Sequence, residues 1–147
     1  MVRPTSRKMV CVVDGRGGGI GSTIIKKIKG HFGESVETIA LGTNAIATAQ
    51  MLKSRANRGA SGENAIVWTV ARADVVIGTL SIMLAHAMMG EITPKMAEAV
   101  CGCAATKLIL PISQERVDLI GMSDTPLPYL VETLVMDHLK PLISAHP

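Results

Sequence analysis

Aromatic side chains are nearly missing from this sequence: Phe32, Trp68 and Tyr129 are the single Phe, Trp and Tyr. Single-strand nucleic-acid binders stack bases on aromatic platforms. Three scattered rings build no such platform, so nucleic acid is not an expected partner. The interior must be filled by Ile, Val, Leu, Ala and nine Met, and Met packs adaptably. Cysteine is scarce as well. Cys11, Cys101 and Cys103 make an odd count, which argues against a disulfide scaffold and for a reducing compartment. Long apolar runs are absent. Met9 to Val13 is stopped by Asp14 and is too short for the core of a signal peptide. Val75 to Gly90 is uncharged but carries Thr79, Ser81 and His86, and it falls short of the ~20 residues that span a bilayer. The expectation is a cytoplasmic protein without a membrane partner. No charge sign dominates either: the net charge of +3 only slightly favours anionic partners.

What is present suits a folded domain. The chain has 147 residues, 48% hydrophobic and 18% charged, a balance that excludes disorder and can bury a core. Residues 1–8 read as a flexible basic arm and 9–143 as one domain. Met9-Val-Cys-Val-Val13 is a continuous apolar run, the pattern of a strand buried on both faces of a parallel sheet. Ile20, Ile24, Ile25, Ile28 and Phe32 follow at helical spacing with Lys26, Lys27 and Lys29 turned outward, and Gly33 ends that helix. Val36 to Leu41 is the second strand. A helix capped by Thr43 runs from Asn44 to about Ser54. Gly59 to Gly62 breaks the chain before a helix from Glu63 to about Arg72, capped by Ser61. Val75 to Ile77 and Leu108 to Leu110 are further strands. Thr93-Pro94 starts a helix ending near Cys101, and Thr125-Pro126 starts the last. Val117 to Ile120 reads as a fifth strand. About six residues separate it from Leu110, too few for a parallel crossover, so antiparallel pairing is expected.

Strands alternating with helices imply an open, doubly wound α/β sheet, with its strand-to-helix loops gathered on one edge. That edge receives Gly15 to Gly21, Gly42 to Asn44, Gly78 to Ser81, and Pro111 to Ser113. The densest signal is Asp14-Gly15-Arg16-Gly17-Gly18-Gly19-Ile20-Gly21, placed after a strand and opening a helix. Glycines let main-chain amides approach an anion, and a helix N-terminus adds free N–H groups and positive potential. The spacing G-x-x-x-G-x-G through Gly15, Gly19 and Gly21 resembles the nucleotide loop of short-chain dehydrogenases. Against that enzyme class, no acid ends the second strand, where Leu41-Gly42-Thr43-Asn44 stand instead. Thr43, Asn44 or Arg16 would have to meet a 2′-phosphate. Tyr129 has Thr133, not Lys, four residues on, and the chain is about half the length such an enzyme needs. No Gly-Lys-Ser/Thr ends the loop, so it is not a P-loop.

The remaining candidates have structural readings beside functional ones. Asp14 suits an Asx turn tying down the glycines. Glu63 and Asn64 suit the positive end of their helix as well as a ligand. Glu91 is read as structural, and His86 as a packed core histidine. Cys101-Gly-Cys103 lacks the second pair that zinc requires, and no metal is expected. The apolar stretch Leu80 to Met89 is expected to be buried in the domain or in a homo-oligomer interface, with a dimer the expected assembly.

The segments Val13-Asp-Gly-Arg-Gly-Gly-Gly-Ile-Gly21, Ala40-Leu-Gly-Thr-Asn-Ala-Ile-Ala-Thr48, Gly59-Ala-Ser-Gly-Glu-Asn-Ala65 and Gly90-Glu-Ile-Thr-Pro94 together give a resemblance. From about residue 9 to 140 the chain resembles a family known only as a domain of unknown function, family 3842. The resemblance implies a Rossmann-like three-layer sandwich and supplies no activity. The expected site therefore rests on Asp14 to Gly21, Gly42, Thr43, Asn44, Gly78, Thr79, Ser81, Glu63 and Asn64. Its expected occupant is a phosphate-bearing small molecule, a nucleotide or NADP among the cofactors considered. The alternatives are a non-catalytic sensor or partner subunit, and an NADP-dependent oxidoreductase.

Overall fold

The computed structural model describes residues 7–144. Most of the basic arm, and His146, lie outside the described residues. The chain runs β1 (Lys8–Asp14), α1 (Gly19–Phe32), β2 (Val36–Gly42), α2 (Ala45–Lys53), β3 (Arg58–Ser61), α3 (Glu63–Val70), β4 (Val75–Thr79), α4 (Pro94–Gly102), β5 (Thr106–Leu110) and α5 (Leu127–Thr133). A wide π turn, Leu134–Leu139, carries α5 on into α6 (Lys140–Ser144). Lys8, assigned above to the arm, opens β1, and Arg7 donates to the carbonyl of Val36 at 3.2 Å.

The five strands form one sheet in the order β3-β2-β1-β4-β5, and every pairing is parallel. Alternation along β1 builds two cores. Val10 and Val12 face Ile24, Ile25 and Ile28 of α1, Met51 of α2, and Val131 and Val135 from the last helical stretch. Cys11 and Val13 face Ile66 and Val70 of α3 and Met96 and Val100 of α4. The sheet is therefore buried on both sides, as its continuous apolar strands require. Sequence succession leaves β1 toward β2 on one side, while β4 joins its other side. The carboxyl ends of β1 and β4 thus flank the switch point of a doubly wound sheet.

Two expectations about strands are corrected. Val117 to Ile120 is not a strand and pairs with nothing antiparallel. Its side chains are exposed, Ile120 at 93%. Asp118 interrupts the run, so it has no continuous apolar face to bury. The fifth strand is instead Arg58–Ser61 at the opposite edge, where the glycines suggested only a break. Arg-Gly-Ala-Ser carries little strand propensity. Main-chain pairing with β2, from Ile39 opposite Arg58 to Gly42 opposite Ser61, holds it there.

Helix starts shift by a residue. Asn44, not Thr43, caps α2, its side chain accepting from the Ala47 amide at 2.8 Å. Gly62, not Ser61, stands at the cap position of α3. Thr93 caps α4 as expected, accepting from the Met96 amide at 3.2 Å. Among the described residues no helix is long and apolar enough to cross a membrane.

Candidate functional site

At the carboxyl end of β1 the chain must leave the sheet and enter α1 within a few residues. Asp14 organises that turn. Its buried carboxylate accepts from the Gly15 amide at 2.8 Å and from the Gly21 amide at 2.7 Å, so one side chain holds both ends of the loop. Burial pushes the Asp14 carboxyl up from its ordinary range. The amides of Gly21 and Gly15 oppose that rise, and the Glu91 charge adds to it. Gly18 closes the turn with φ of 73°, and its amide donates to the Gly15 carbonyl at 2.9 Å. A Cβ on Gly18 would lie 2.7 Å from the Ala47 carbonyl oxygen.

After these bonds are made, the amides of Gly17, Gly19 and Ile20 have no hydrogen-bond partner among the described residues. Gly17 and Gly19 are also the two loop glycines whose added Cβ would meet nothing within 4 Å, and neither has positive φ. Neither packing nor backbone angle demands glycine there.

These amides border a cavity of about 230 Å³ at the sheet's carboxyl edge. Asp14 to Ile20 form one wall. Thr79, the last residue of β4, Ser81 just past it, Ile112 to Glu115, after β5, and Met88 complete the lining. Thr79 is buried as a residue, and among the described residues no hydrogen bond is made by its hydroxyl, which is left open to the cavity it lines. Ser81 Oγ lies 3.5 Å from Ser113 Oγ. Arg16 is the one cationic residue of the lining, which also includes the acidic residues Asp14 and Glu115, and its charge acts on Glu91.

Leu80 to Met89, between β4 and α4, was expected to be buried in the domain or in a homo-oligomer interface. Within the domain its side chains divide. Ile82, Ala87 and Met88 are buried in the domain, whereas Met89 is 92% exposed. His86 is exposed as well, with φ of 70°, so it is not the packed core histidine expected. Glu91 returns from this segment to the glycine loop. Its Oε1 accepts from the Arg16 amide at 2.9 Å, Thr43 Oγ1 at 2.5 Å and Asn44 Nδ2 at 2.9 Å. Desolvation raises the Glu91 carboxyl, but the bonds from Thr43, Arg16 and Asn44 and the Arg16 charge outweigh it. The carboxyl is held below the ordinary glutamate range. On the other side, Glu115 Oε1 accepts from the Met88 amide at 3.1 Å.

The structure therefore brings together Asp14, Gly15, Arg16, Gly17, Gly18, Gly19, Ile20, Thr79 and Ser81 of the expected residues. Gly21 sits behind them in the first turn of α1. Gly42 ends β2 and is closed in by Thr48, while Gly78 lies within β4 under Ile82. Thr43 and Asn44 are turned to Glu91 rather than to the cavity. Glu63 accepts from Thr93 Oγ1 at 2.6 Å, tying α3 to α4, and Asn64 is exposed on α3. Neither lines the cavity. Met88, Ile112, Ser113, Gln114 and Glu115 were missed as site residues. Pro111 to Ser113 had been placed on this edge by their position just past β5, but no site role was given to them, and Gln114 and Glu115 lay beyond the stretch assigned. Met88 gave no signal, because an apolar residue in an apolar run reads as core.

Cys11 is buried, and that burial pushes its thiol up to about 12. Among the described residues no cluster of His, Cys, Asp or Glu is arranged to hold a metal ion. No curated protein and no solved structure matches the chain. The family described as Domain of unknown function (DUF3842) matches residues 9–143, nearly the whole of the two-sided sheet and its helices, and the chain belongs to that family.

Proposed function

We propose that this protein binds a phosphate-bearing small molecule, a nucleotide or a phosphorylated metabolite, against the amides of Gly17, Gly19 and Ile20. The observation that carries this reading is the combination at that wall. Three residues whose main-chain donors have no partner among the described residues line a cavity, and two of them are glycines that leave open space the fold does not require. Main-chain donors at the start of a helix favour an anion through their partial charge and their geometry. The switch-point position supports the same reading, since ligands of doubly wound sheets bind in that crevice. Arg16 adds a positive charge beside the amides. All three cysteines are free, the state that a reducing compartment maintains, and we place the protein in the cytoplasm.

The test is amide chemical shifts of the labelled chain under titration with inorganic phosphate and ribose 5-phosphate. The amides of Gly17, Gly19 and Ile20 move together and saturate. Their indifference to both compounds at millimolar concentration would end this reading.

A second reading, a partner subunit that assembles with its own copy, draws on the surface after β5. Val117, Leu119, Ile120 and Met122 are all exposed there. Of the Leu80 to Met89 stretch, Ile82, Ala87 and Met88 are spent inside the domain, and Met89 is the large apolar side chain left exposed to such a partner.

A further inference from the structure

Resting on the phosphate reading above, we infer that the site takes a compact phosphomonoester and that Met88 and Glu91 exclude dinucleotides by filling the β2 side of the glycine loop. In a doubly wound dinucleotide site the chain of the ligand crosses the glycine loop. One ribose reaches the carboxyl end of the second strand, where an acid receives its hydroxyls. Here that path is occupied by the protein itself. Glu91 Oε1 already holds Thr43 Oγ1 and Asn44 Nδ2, the groups at the end of β2, and the Arg16 amide of the loop. Met88 covers the loop from the same direction: a Cβ added to Gly15 would lie 2.5 Å from its sulfur and 2.9 Å from Glu91 Oε1.

This strap is built in place. His86, Met88, Met89 and Gly90 all have positive φ, between 57° and 90°. Non-glycine residues persist in that region only where their surroundings hold them. The Glu91 bonds fix the strap on the β2 side, and the Met88 amide bonded to Glu115 fixes it on the β5 side.

What stays open lies between β1, β4 and β5. At about 230 Å³ it is smaller than the roughly 300–1,000 Å³ of pockets that enclose drug-sized ligands, and a dinucleotide is larger than those. Its charge sets a second limit. The lining holds one arginine and two acidic residues, with Glu91 bonded to the loop amide of Arg16. That balance suits one phosphate on the amides and opposes a polyphosphate. The Thr79 side chain, mostly buried but with its hydroxyl open to the cavity and not bonded among the described residues, offers a polar contact to a ligand group, and Ile20 and Ile112 offer apolar contact to its body.

The experiment measures ribose 5-phosphate and NADP binding to the full chain through the Gly17, Gly19 and Ile20 amides, with inorganic phosphate as the minimal probe. In the parent protein NADP binds about tenfold or more weakly than ribose 5-phosphate. In Met88→Gly, a change that suits the positive φ at that position, NADP gains about tenfold. NADP binding as tightly as ribose 5-phosphate in the parent overturns the size limit and leaves the phosphate site standing. No gain in a Met88→Gly protein that still binds ribose 5-phosphate overturns the strap as the cause. Amides unmoved by all three compounds overturn the phosphate site itself, and the inference with it.

Discussion

Gly18 and Gly19 are neighbours under opposite constraints. Gly18 needs its positive φ and has the Ala47 carbonyl where a Cβ would go, whereas Gly19 is helical and faces open space. Gly18→Ala should destabilise the fold by about 1–3 kcal/mol. Gly19→Val should leave stability within about 0.5 kcal/mol of the parent, yet remove phosphate binding, because the branched side chain fills the approach to the amides. Thermal melts and phosphate titrations on both variants separate folding from binding. A Gly19→Val protein that melts normally and binds phosphate normally would place the ligand elsewhere. Glu91 makes a pH prediction. Its carboxyl is held lower in the folded state than in the unfolded chain. Its contribution is therefore complete above the ordinary glutamate value of about 4.3, and it fades as pH falls through the lower folded value. The parent should melt above Glu91→Gln at pH 7, and the gap should close in acid. Asp14 works with the opposite sign: its carboxyl is raised, so the folded state loses ground as pH rises through its raised value. The difference between parent and Glu91→Gln isolates the Glu91 part. A gap that stays constant down to the acid limb would remove the loop-tethering role given to this carboxylate.

At the scale of elements, α2 and the loop after β5 carry the most informative tests. Asn44 both caps α2 and donates to Glu91 Oε1. Asn44→Ala should cost about 1–2 kcal/mol from the cap alone. It should also broaden or shift the Arg16 amide signal, since Glu91 loses one of its three donors. A simple loss of helix stability with the Arg16 amide unmoved would mean that the cap and the strap are independent. Ile120 tests the corrected topology. A strand residue of a packed sheet does not tolerate a charge, but an exposed loop residue does. Ile120→Asp should change stability by no more than about 0.5 kcal/mol. A severe loss in urea melts would reinstate a strand at Val117 to Ile120.

At the scale of the whole molecule, two cores on either face of one parallel sheet take most of the large apolar side chains among the described residues. Those left outside are therefore conspicuous. Val117, Leu119, Ile120 and Met122 fall within one loop, and exposed apolar groups gathered this closely mark contact surfaces. The assembly reading expects a dimer of the parent in light scattering at micromolar concentration, and a monomer of Ile120→Asp with unchanged melting. A parent that scatters as a clean monomer ends that reading and leaves the ligand site untouched.

The sequence by itself determined the layers and the edge on which the strand-to-helix loops gather. Continuous apolar strands such as Met9 to Val13 can be buried only on both faces, and short strand–helix alternation makes their sheet parallel with its loops on one edge. Chain-local chemistry also showed in advance that the glycine loop opens α1 and that Thr93 caps α4. Tertiary structure decided the rest, wherever stability comes from partners far along the chain. Arg58 to Ser61 is a strand because β2 offers its open edge, not because of its own side chains. Val117 to Ile120 is not one, because no edge or core receives it. Glu91 meets Arg16, Thr43 and Asn44 across gaps of dozens of residues. Met88, which reads as core, becomes a wall of the cavity for the same reason. No local spacing encodes which loops the carboxyl edge of a sheet will bring within hydrogen-bonding distance.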